Sequence, residues 1–191
     1  MKFEYETNRL LLKALSSEHA KAVNTFLCNN RTRFEPFEPL KKADYYTEDY
    51  QAAILEAELK MFNKLLSARY YLFDKQQPDK IIGTVSLTNI RRQPESSARL
   101  GYRIDASYEG RGYMHEALSC IIMLAFNELP IQRLEAYISP ENTRSLSLIK
   151  HIGFSCDGKI RNFCQINGIY KDHFIFTLLR EEISKISPTY F

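Results

Sequence analysis

The stretch YEGRGYMHEAL, Tyr108 to Leu118, places two glycines around one arginine directly before a segment with helical character. The whole chain has only seven glycines, so this pairing is unusual. A helix start carries backbone N–H groups without intrahelical partners and a partial positive charge. A glycine-lined entry lets a phosphate come close to those donors. The stretch therefore predicts a site for a phosphate-bearing ligand.

The residues on either side of this stretch predict a strand-helix-strand-helix unit over residues 98 to 153. Strands are expected at Ala98 to Asp105 and at Leu134 to Ser139, and the second helix runs from Asn142 to a closing Gly153. The first helix, after Gly112, has a three-four spacing of apolar residues: Met114, Ala117, Leu118, Ile121, Ile122, Ala125 and Phe126. Such a unit crosses over right-handed, which puts the glycine pair at the end of a strand.

The rest of the chain contributes strands with few helices. Asn167-Gly168 is a strong two-residue hairpin signal between strands at Lys159 to Ile166 and Ile169 to Leu179. A strand is expected over Thr7 to Leu15, followed by a helix capped at Ser16. An ordered loop is expected over residues 31 to 50, leading into a helix over about 47 to 67. Two more strands are expected at Tyr70 to Phe73 and Lys80 to Asn89, separated by a turn at Asp74 to Asp79 that contains Pro78. These elements predict an α+β fold with a mostly antiparallel mixed sheet, forming one domain over residues 1–191.

Composition narrows the class of protein. The chain has 191 residues, of which 45% are hydrophobic and 26% charged, and a formal net charge of +3. These values fit one globular domain, and the scattered basic residues do not favour nucleic acid as a direct partner. The four cysteines lack metal-site spacing, so we expect no metal and buried free thiols. The longest apolar run, Ile121 to Phe126, is too short to span a bilayer, and we expect a cytoplasmic protein without a membrane partner.

Two common phosphate motifs do not fit the glycine pair. A nucleotide P-loop needs Lys-Ser or Lys-Thr after its last glycine, where this chain has Tyr113-Met114, and a dinucleotide fingerprint needs a third glycine at His115. A second signal follows about thirty residues later in ENTRSLSLIKHIGF, Glu141 to Phe154. Each segment alone is also compatible with a plain turn or an ordinary capped helix.

Together the segments closely resemble the GNAT superfamily of acyl-CoA-dependent N-acetyltransferases, within it the branch of the ribosomal-protein N-terminal acetyltransferases. The resemblance covers nearly the whole chain in five ordered blocks: TNRLLLKAL, KIIGTVSL, ARLGYRIDASYEGRGYMHEAL, NTRSLSLIKHIGF and RNFCQINGIYKDHFIFTLL. It implies a splayed central strand pair, helices on both faces of the sheet, and acetyl-CoA as cosubstrate.

The resemblance also implies which residues bind the coenzyme. The strand Tyr102-Arg103-Ile104 would contact the pantetheine arm and donate an N–H to the acetyl carbonyl. The phosphate motif matches the six positions Glu109, Gly110, Arg111, Gly112, Tyr113 and Met114, with His115 following. Glu109 and Met114 depart from the family's Gln or Arg and Gly or Ala, and Arg111 is a candidate to offset the acid.

Asn142 and Ser145 match the family's Asn-x-x-Ser, in which Asn contacts the coenzyme arm and the hydroxyl lies near its sulfur. Ser145 is therefore a candidate acid for the departing thiolate, although a small polar residue in a first helical turn explains it equally well. No general base is evident: Glu95 is the nearest acid, and direct attack by the neutral amine is the alternative. For His115 and His173, structural roles are expected.

The acceptor is expected to lie against a segment that mixes acids and aromatics, or against the hairpin loop Gln165 to Tyr170. That segment contains Phe34, Glu35, Phe37, Glu38, Tyr45, Tyr46 and Tyr50. The alternative is that these residues simply cap the sheet edge and pack against the helix. Three functions stay open at this point: acetylation of a protein or peptide α-amine, acetylation of a small amine such as an aminoglycoside, polyamine or amino acid, and non-catalytic acyl-CoA binding. A monomer or a homodimer is expected.

Overall fold

The computed structural model describes residues 1–185, and it contains one eight-stranded sheet with the strand order β1-β2-β3-β4-β5-β6-β8-β7. The strands are β1 (Glu4–Glu6), β2 (Leu10–Lys13), β3 (Ala68–Asp74), β4 (Gln77–Arg91), β5 (Ser97–Ile104), β6 (Arg133–Ile138), β7 (Ser155–Ile166) and β8 (Ile169–Leu179). In these residues β5 and β6 pair in parallel and every other neighbouring pair is antiparallel. The predicted α+β fold with a mostly antiparallel mixed sheet is confirmed.

Helices cover both faces of this sheet, as predicted. They are α1 (Ala20–Asn29), α2 (Arg31–Phe34), α3 (Glu48–Asn63), α4 (Tyr113–Glu128) and α5 (Thr143–Ile152). Along β3, Tyr70 and Leu72 pack into the core cluster that contains α4, whereas Tyr71 and Phe73 pack into the cluster that contains α1. Because successive side chains of a strand point to opposite faces, α1 and α4 lie on opposite sides of the sheet. None of the helices in residues 1–185 is long and apolar enough to cross a membrane.

The parallel pair β5 and β6 separates after a short contact. Their pairing covers Ser97 to Arg99 on β5, opposite Arg133 to Glu135 on β6. Beyond that point β5 continues to Ile104 and β6 to Ile138, and within residues 1–185 each is paired only with its other neighbour. Backbone groups on the facing edges are therefore left without a strand partner, which confirms the splayed central pair.

The predicted signals at the start of α4, at both ends of α5 and at the C-terminal hairpin are confirmed. Gly112 precedes α4 in the left-handed conformation, with φ of 77°. The Asn142 side chain accepts a hydrogen bond from the Ser145 backbone N–H at 3.2 Å, and Gly153, with φ of 114°, ends α5. Asn167 and Gly168 both have positive φ, as the tight hairpin turn between β7 and β8 requires.

The N-terminal elements differ from the prediction. The strand expected over Thr7 to Leu15 is the shorter β2, and it pairs with β1, which was not predicted because three mostly exposed residues carry no hydrophobic pattern. Ser16 does not cap α1. Its hydroxyl lies 3.1 Å from the His19 ring, and a 3-10 turn at Ser17–His19 precedes the helix.

The predicted loop over residues 31 to 50 contains α2 and two 3-10 turns, at Glu35–Phe37 and Ala43–Tyr46. The helix expected to reach residue 67 ends at Asn63. The predicted turn containing Pro78 is also wrong, because β4 already begins at Gln77. Pro78 falls where the register between β3 and β4 is irregular, so its missing N–H costs no ladder hydrogen bond.

The four cysteines are free, but the expectation that all are buried is wrong. Cys120 is buried in α4, whereas Cys28 and Cys156 are exposed and Cys164 is half-buried. Across residues 1–185, no group of three or more His, Cys, Asp or Glu side chains is placed to hold a metal ion.

Candidate active site

The connection from β5 to α4 presents backbone donors at a helix start. A 3-10 turn at Ala106–Tyr108 leads into Gly110 and Gly112, whose φ angles are 69° and 77°. Residues with side chains adopt this left-handed conformation at a cost, so the two glycines explain how the chain turns into α4 so abruptly. The first helical turn leaves backbone N–H groups without partners inside the helix, and it begins directly after the second glycine.

Asp105 fixes the start of this connection. Its carboxylate accepts hydrogen bonds from the Ser107 backbone N–H at 2.9 Å and from Asn30 at 3.4 Å, and it pairs with Lys80 at 3.3 Å. Burial alone would raise the pKa of Asp105, but the bonds from Ser107, Asn30 and Lys80 outweigh it and hold that pKa below its usual range. Asp105 thereby connects the end of β5 to α1 and β4.

A cavity of about 950 Å³ opens at the splayed strands and extends to the start of α4. The predicted site residues that line it are Tyr102, Arg103, Ile104, Glu109, Gly110, Gly112, Tyr113, Met114, His115, Asn142 and Ser145. Arg111 is the exception: its side chain is exposed, and its backbone carbonyl accepts a hydrogen bond from Arg9 at 2.9 Å. The fold thus brings residues from three separate sequence segments around one cavity.

Glu109 is neutralised by residues other than the one predicted. Its carboxylate makes a bidentate ion pair with Arg33 of α2, and Arg144 of α5 lies 3.7 Å away. Arg111 instead stacks near the Tyr108 ring, 5.7 Å from its centroid. The acid that departs from the family pattern is therefore offset across the cavity by Arg33 and Arg144, not by Arg111.

A half-buried ion pair between Arg9 and Glu116 supports the glycine loop, and it was not predicted from the sequence. Glu116 is fully buried in α4 and accepts hydrogen bonds from Thr7 Oγ1 at 2.6 Å, Arg9 N at 2.8 Å and Arg9 Nε at 2.6 Å. The Arg9 guanidinium also lies 4.4 Å from the Tyr113 ring centroid. One signal was available: Glu116 is the sole acid in the otherwise apolar stretch from Tyr113 to Phe126.

Tyr102, Asn142 and Ser145 form a connected group between β5 and α5. The Tyr102 hydroxyl donates to the Ser145 carbonyl at 3.2 Å, and the Asn142 side-chain oxygen is used in the helix cap. Burial raises the pKa of Tyr102 to about 12, so its hydroxyl is protonated at neutral pH. The Ser145 side chain is half-buried at the cavity wall.

The other side of β5 faces the segment predicted to contact the acceptor. The Arg103 side chain pairs with Glu38 at 2.5 Å, and Lys41 pairs with the same carboxylate at 2.9 Å. Phe34, Phe37 and Glu38 line the cavity. The remaining predicted wall residues, Glu35, Tyr45, Tyr46 and Tyr50, do not line it.

The hairpin loop Gln165 to Tyr170 also lies outside the cavity lining. It reaches the acceptor-side segment through Asn167, whose side-chain amide donates to the Glu35 carbonyl at 3.5 Å. Tyr46 donates its hydroxyl to the Glu35 carboxylate at 3.0 Å. These contacts support the acceptor-side segment from outside the cavity.

Three histidines line the cavity: His115, His151 and His173. The His115 and His151 rings, on α4 and α5, have centroids 5.3 Å apart. Burial, with a smaller contribution from the charge of His151, lowers the pKa of His115. His115 is therefore neutral at physiological pH.

Comparison with known proteins agrees with this geometry. Residues 9–155 match the family model of the acetyltransferase (GNAT) domain. Probable N-acetyltransferase YjcK of Bacillus subtilis (strain 168) is 33% identical over 153 residues, covering 80% of this chain and 84% of that protein. The [ribosomal protein uS5]-alanine N-acetyltransferase of Escherichia coli (strain K12) is 30% identical over 179 residues, covering 93% and 91%.

A solved structure is also similar over nearly its whole length. The ribosomal-protein-S5-alanine acetyltransferase from Vibrio fischeri superposes with a TM-score of 0.88 at 26% identity, covering 95% of this chain and 98% of that one. Fold, family model and relatives therefore agree. The chain belongs to the GNAT acetyltransferase family, in the branch of the ribosomal-protein-alanine acetyltransferases, and it is an acetyl-CoA-dependent N-acetyltransferase.

Proposed function

We propose that this enzyme transfers the acetyl group of acetyl-CoA to the α-amine at the N-terminus of a protein or peptide. The observation that carries the proposal is the charge of the cavity wall. Four arginines line it, Arg33, Arg69, Arg103 and Arg144, against the two carboxylates of Glu38 and Glu109. A wall with this excess of positive charge repels polycationic acceptors such as polyamines and aminoglycosides.

Both carboxylates already have cationic partners. Glu38 is shared by Arg103 and Lys41, and Glu109 is held by Arg33. A cationic acceptor would therefore have to displace an existing ion pair. An acceptor with a single amine has no further ammonium group once that amine is neutral for attack, so it makes no such demand.

The coenzyme would lie on the α4 and α5 side of the gap. Its diphosphate would be bound by the backbone amides from Gly110 to Met114 and by His115, at the N-terminus of α4. Tyr102, Arg103 and Ile104 would contact the pantetheine arm through the free edge of β5. Arg111 would contribute its backbone only, since its side chain lies over the Tyr108 ring and does not line the cavity.

The reaction exchanges one bond at the acetyl carbonyl carbon for another. The acceptor nitrogen attacks the thioester carbonyl carbon, the C–S bond breaks, and the departing thiolate takes a proton. Ser145 Oγ is the candidate donor of that proton, and Asn142 holds Ser145 in place through the N-terminal cap. The predicted cytoplasmic location and the predicted monomer or homodimer stay predictions.

The experiment compares a peptide acceptor with small amines. A short peptide beginning with alanine, as the name of the Escherichia coli relative suggests, is incubated with acetyl-CoA. One control is the same peptide with a blocked N-terminus and one internal lysine. The other controls are the small amines alanine, spermidine and kanamycin. We expect mass spectrometry to locate acetylation on the α-amine of the open peptide. Turnover of a small amine with the peptide unchanged would overturn the proposal in favour of the small-amine alternative.

A further inference from the structure

Acetyl transfer to an α-amine needs a proton acceptor. An α-amine has a pKa of about 7.7 to 8.0, so much of it is ammonium at neutral pH, and only the neutral form has a lone pair for attack. The two carboxylates that line the cavity are both occupied by arginines. Glu95, the acid nearest in sequence, does not line the cavity and pairs with Arg91 at 3.9 Å on the surface.

Of the three histidines that line the cavity, only His173 lies on the acceptor side of the sheet. Its neighbours on β8, Phe174 and Phe176, pack into the core cluster that contains α4. By strand alternation the His173 side chain points to the opposite face. His115 and His151 belong to α4 and α5, on the other side.

His173 also lies at the mouth of the gap. The pairing of β6 with β8 ends at Ile138 and Phe174, so His173 is one residue beyond the last pair. At this position it sits beside the connection from β6 to Asn142, which leads into Ser145. Only 5% of the residue is exposed to solvent, although it lines the cavity.

The hydrogen bonds of His173 fix its tautomer. Its Nδ1 lies 3.2 Å from the backbone carbonyl oxygen of Lys171, and a carbonyl can only accept. Nδ1 therefore carries the hydrogen, and Nε2 is the nitrogen of the neutral ring that can accept a proton. Nε2 lies 3.8 Å from the Cys164 sulfur. Burial raises the pKa of the Cys164 thiol, which keeps it protonated and a weak donor.

The remaining groups around the ring leave Nε2 available. The centroid of the Phe163 ring lies 5.1 Å from that of the His173 ring, and Phe163 also stacks on Tyr137 of β6. The Arg99 guanidinium lies over the Phe163 and Tyr137 rings. The Tyr137 hydroxyl donates to Glu135 at 2.8 Å, and the Lys171 side chain is paired with Glu141 at 2.8 Å. Glu135 and Glu141 thus have partners of their own.

We propose that His173 is a catalytic base and accepts the proton of the acceptor amine at Nε2. As the N–C bond forms, the amine proton passes to Nε2 and the ring becomes imidazolium, while the C–S bond breaks and the thiolate is protonated by Ser145 or water. The imidazolium then returns its proton to solvent, and a Ser145 hydroxyl that has donated its proton takes one back from water. The inference rests on the proposed acyl transfer to an amine, but not on which amine is the acceptor.

The test measures kcat, KM and the pH dependence of kcat/KM for His173→Ala and for the control Cys164→Ala. The acceptor is whichever amine the unaltered enzyme acetylates, so an inactive peptide would count against the proposed function alone. For His173→Ala we expect kcat to fall about 10²-fold to 10⁴-fold, with the KM for acetyl-CoA unchanged. The kcat/KM profile should lose one ionisation, and added imidazole should restore part of the rate. The control Cys164→Ala should keep the kcat and the ionisation of the unaltered enzyme.

His173→Gln covers the case in which the alanine variant does not fold. Its side-chain amide can still donate to the Lys171 carbonyl, but it cannot accept a proton. We expect the same loss of kcat and of one ionisation in this variant. A folded His173→Gln enzyme that keeps the kcat and pH profile of the unaltered protein would overturn the proposal.

Discussion

At the scale of single residues, Gly112 has two separable roles. It adopts a φ of 77°, which disfavours any residue with a side chain, and it stands where α4 begins at the cavity. Gly168 is a matched control, because it has a φ of 82° and lies at the tip of the hairpin between β7 and β8, outside the cavity. An added Cβ meets nothing within 4 Å at Gly168, and at Gly112 it meets only the Arg9 side chain at 3.4 Å.

We therefore expect Gly112→Ala and Gly168→Ala to lose similar amounts of unfolding free energy, about 1 to 2 kcal/mol each. Only Gly112→Ala should raise the KM for acetyl-CoA, by about tenfold, since relaxing the strained turn moves a backbone donor worth about 1.5 kcal/mol. Urea unfolding and steady-state kinetics measure the two effects. Equal KM values in both variants would show that the amides of this loop do not bind the coenzyme.

At the scale of secondary-structure elements, the Arg9 and Glu116 pair joins the turn between β1 and β2 to the first turn of α4. Glu116→Gln keeps an acceptor for Thr7 but removes the charge that faces Arg9. Because 42% of the Arg9 side chain is exposed, water can partly replace the lost partner. We expect a loss of about 1 to 3 kcal/mol, below the range for a fully buried pair.

Glu95→Gln is the control for this element-scale prediction. Glu95 and Arg91 are both more than half exposed and lie 3.9 Å apart, so the loss should stay within about 0.5 kcal/mol. Chemical denaturation of both variants gives the comparison. If Glu116→Gln is as stable as Glu95→Gln, the buried pair does not hold the α4 start in place.

The elements that could be predicted from sequence are those specified locally. Gly112, Asn142 and Gly153 mark helix ends through conformations or hydrogen bonds that span at most a few residues. The 3-4 spacing of α4 and the Asn-Gly hairpin belong to the same class.

The contacts that complete the site could not be predicted in this way. Arg9 reaches Glu116 across 107 positions of the chain, and Arg33 reaches Glu109 across 76. No local pattern encodes such pairs. His173 was assigned a structural role because the sequence places it in a strand without showing which face of the sheet it occupies.

At the scale of the whole molecule, the gap between β5 and β6 is the feature that joins the two substrates. The cavity is lined both by residues on the α4 and α5 side, such as Tyr102 and Ser145, and by residues on the other side, such as Glu38 and His173. The thioester of acetyl-CoA and the amine can therefore enter this gap from opposite faces of the sheet. The fold achieves this because β6 leaves β5 after three residue pairs and continues along β8.

Acetyl-CoA should consequently stabilise the entire domain, since it would bind the folded sheet and not the unfolded chain. At a free concentration one hundred times its Kd, the added free energy is about 2.7 kcal/mol. For a chain of this length each kcal/mol moves Tm by about 2 to 4 °C, so we expect a rise of about 5 to 10 °C in a thermal-shift titration. Pantetheine, which lacks the diphosphate, should give only a small part of this rise, and Gly112→Ala should reduce it. An unrelated nucleotide that raises Tm while coenzyme A does not would contradict the assignment of the α4 N-terminus as the diphosphate site.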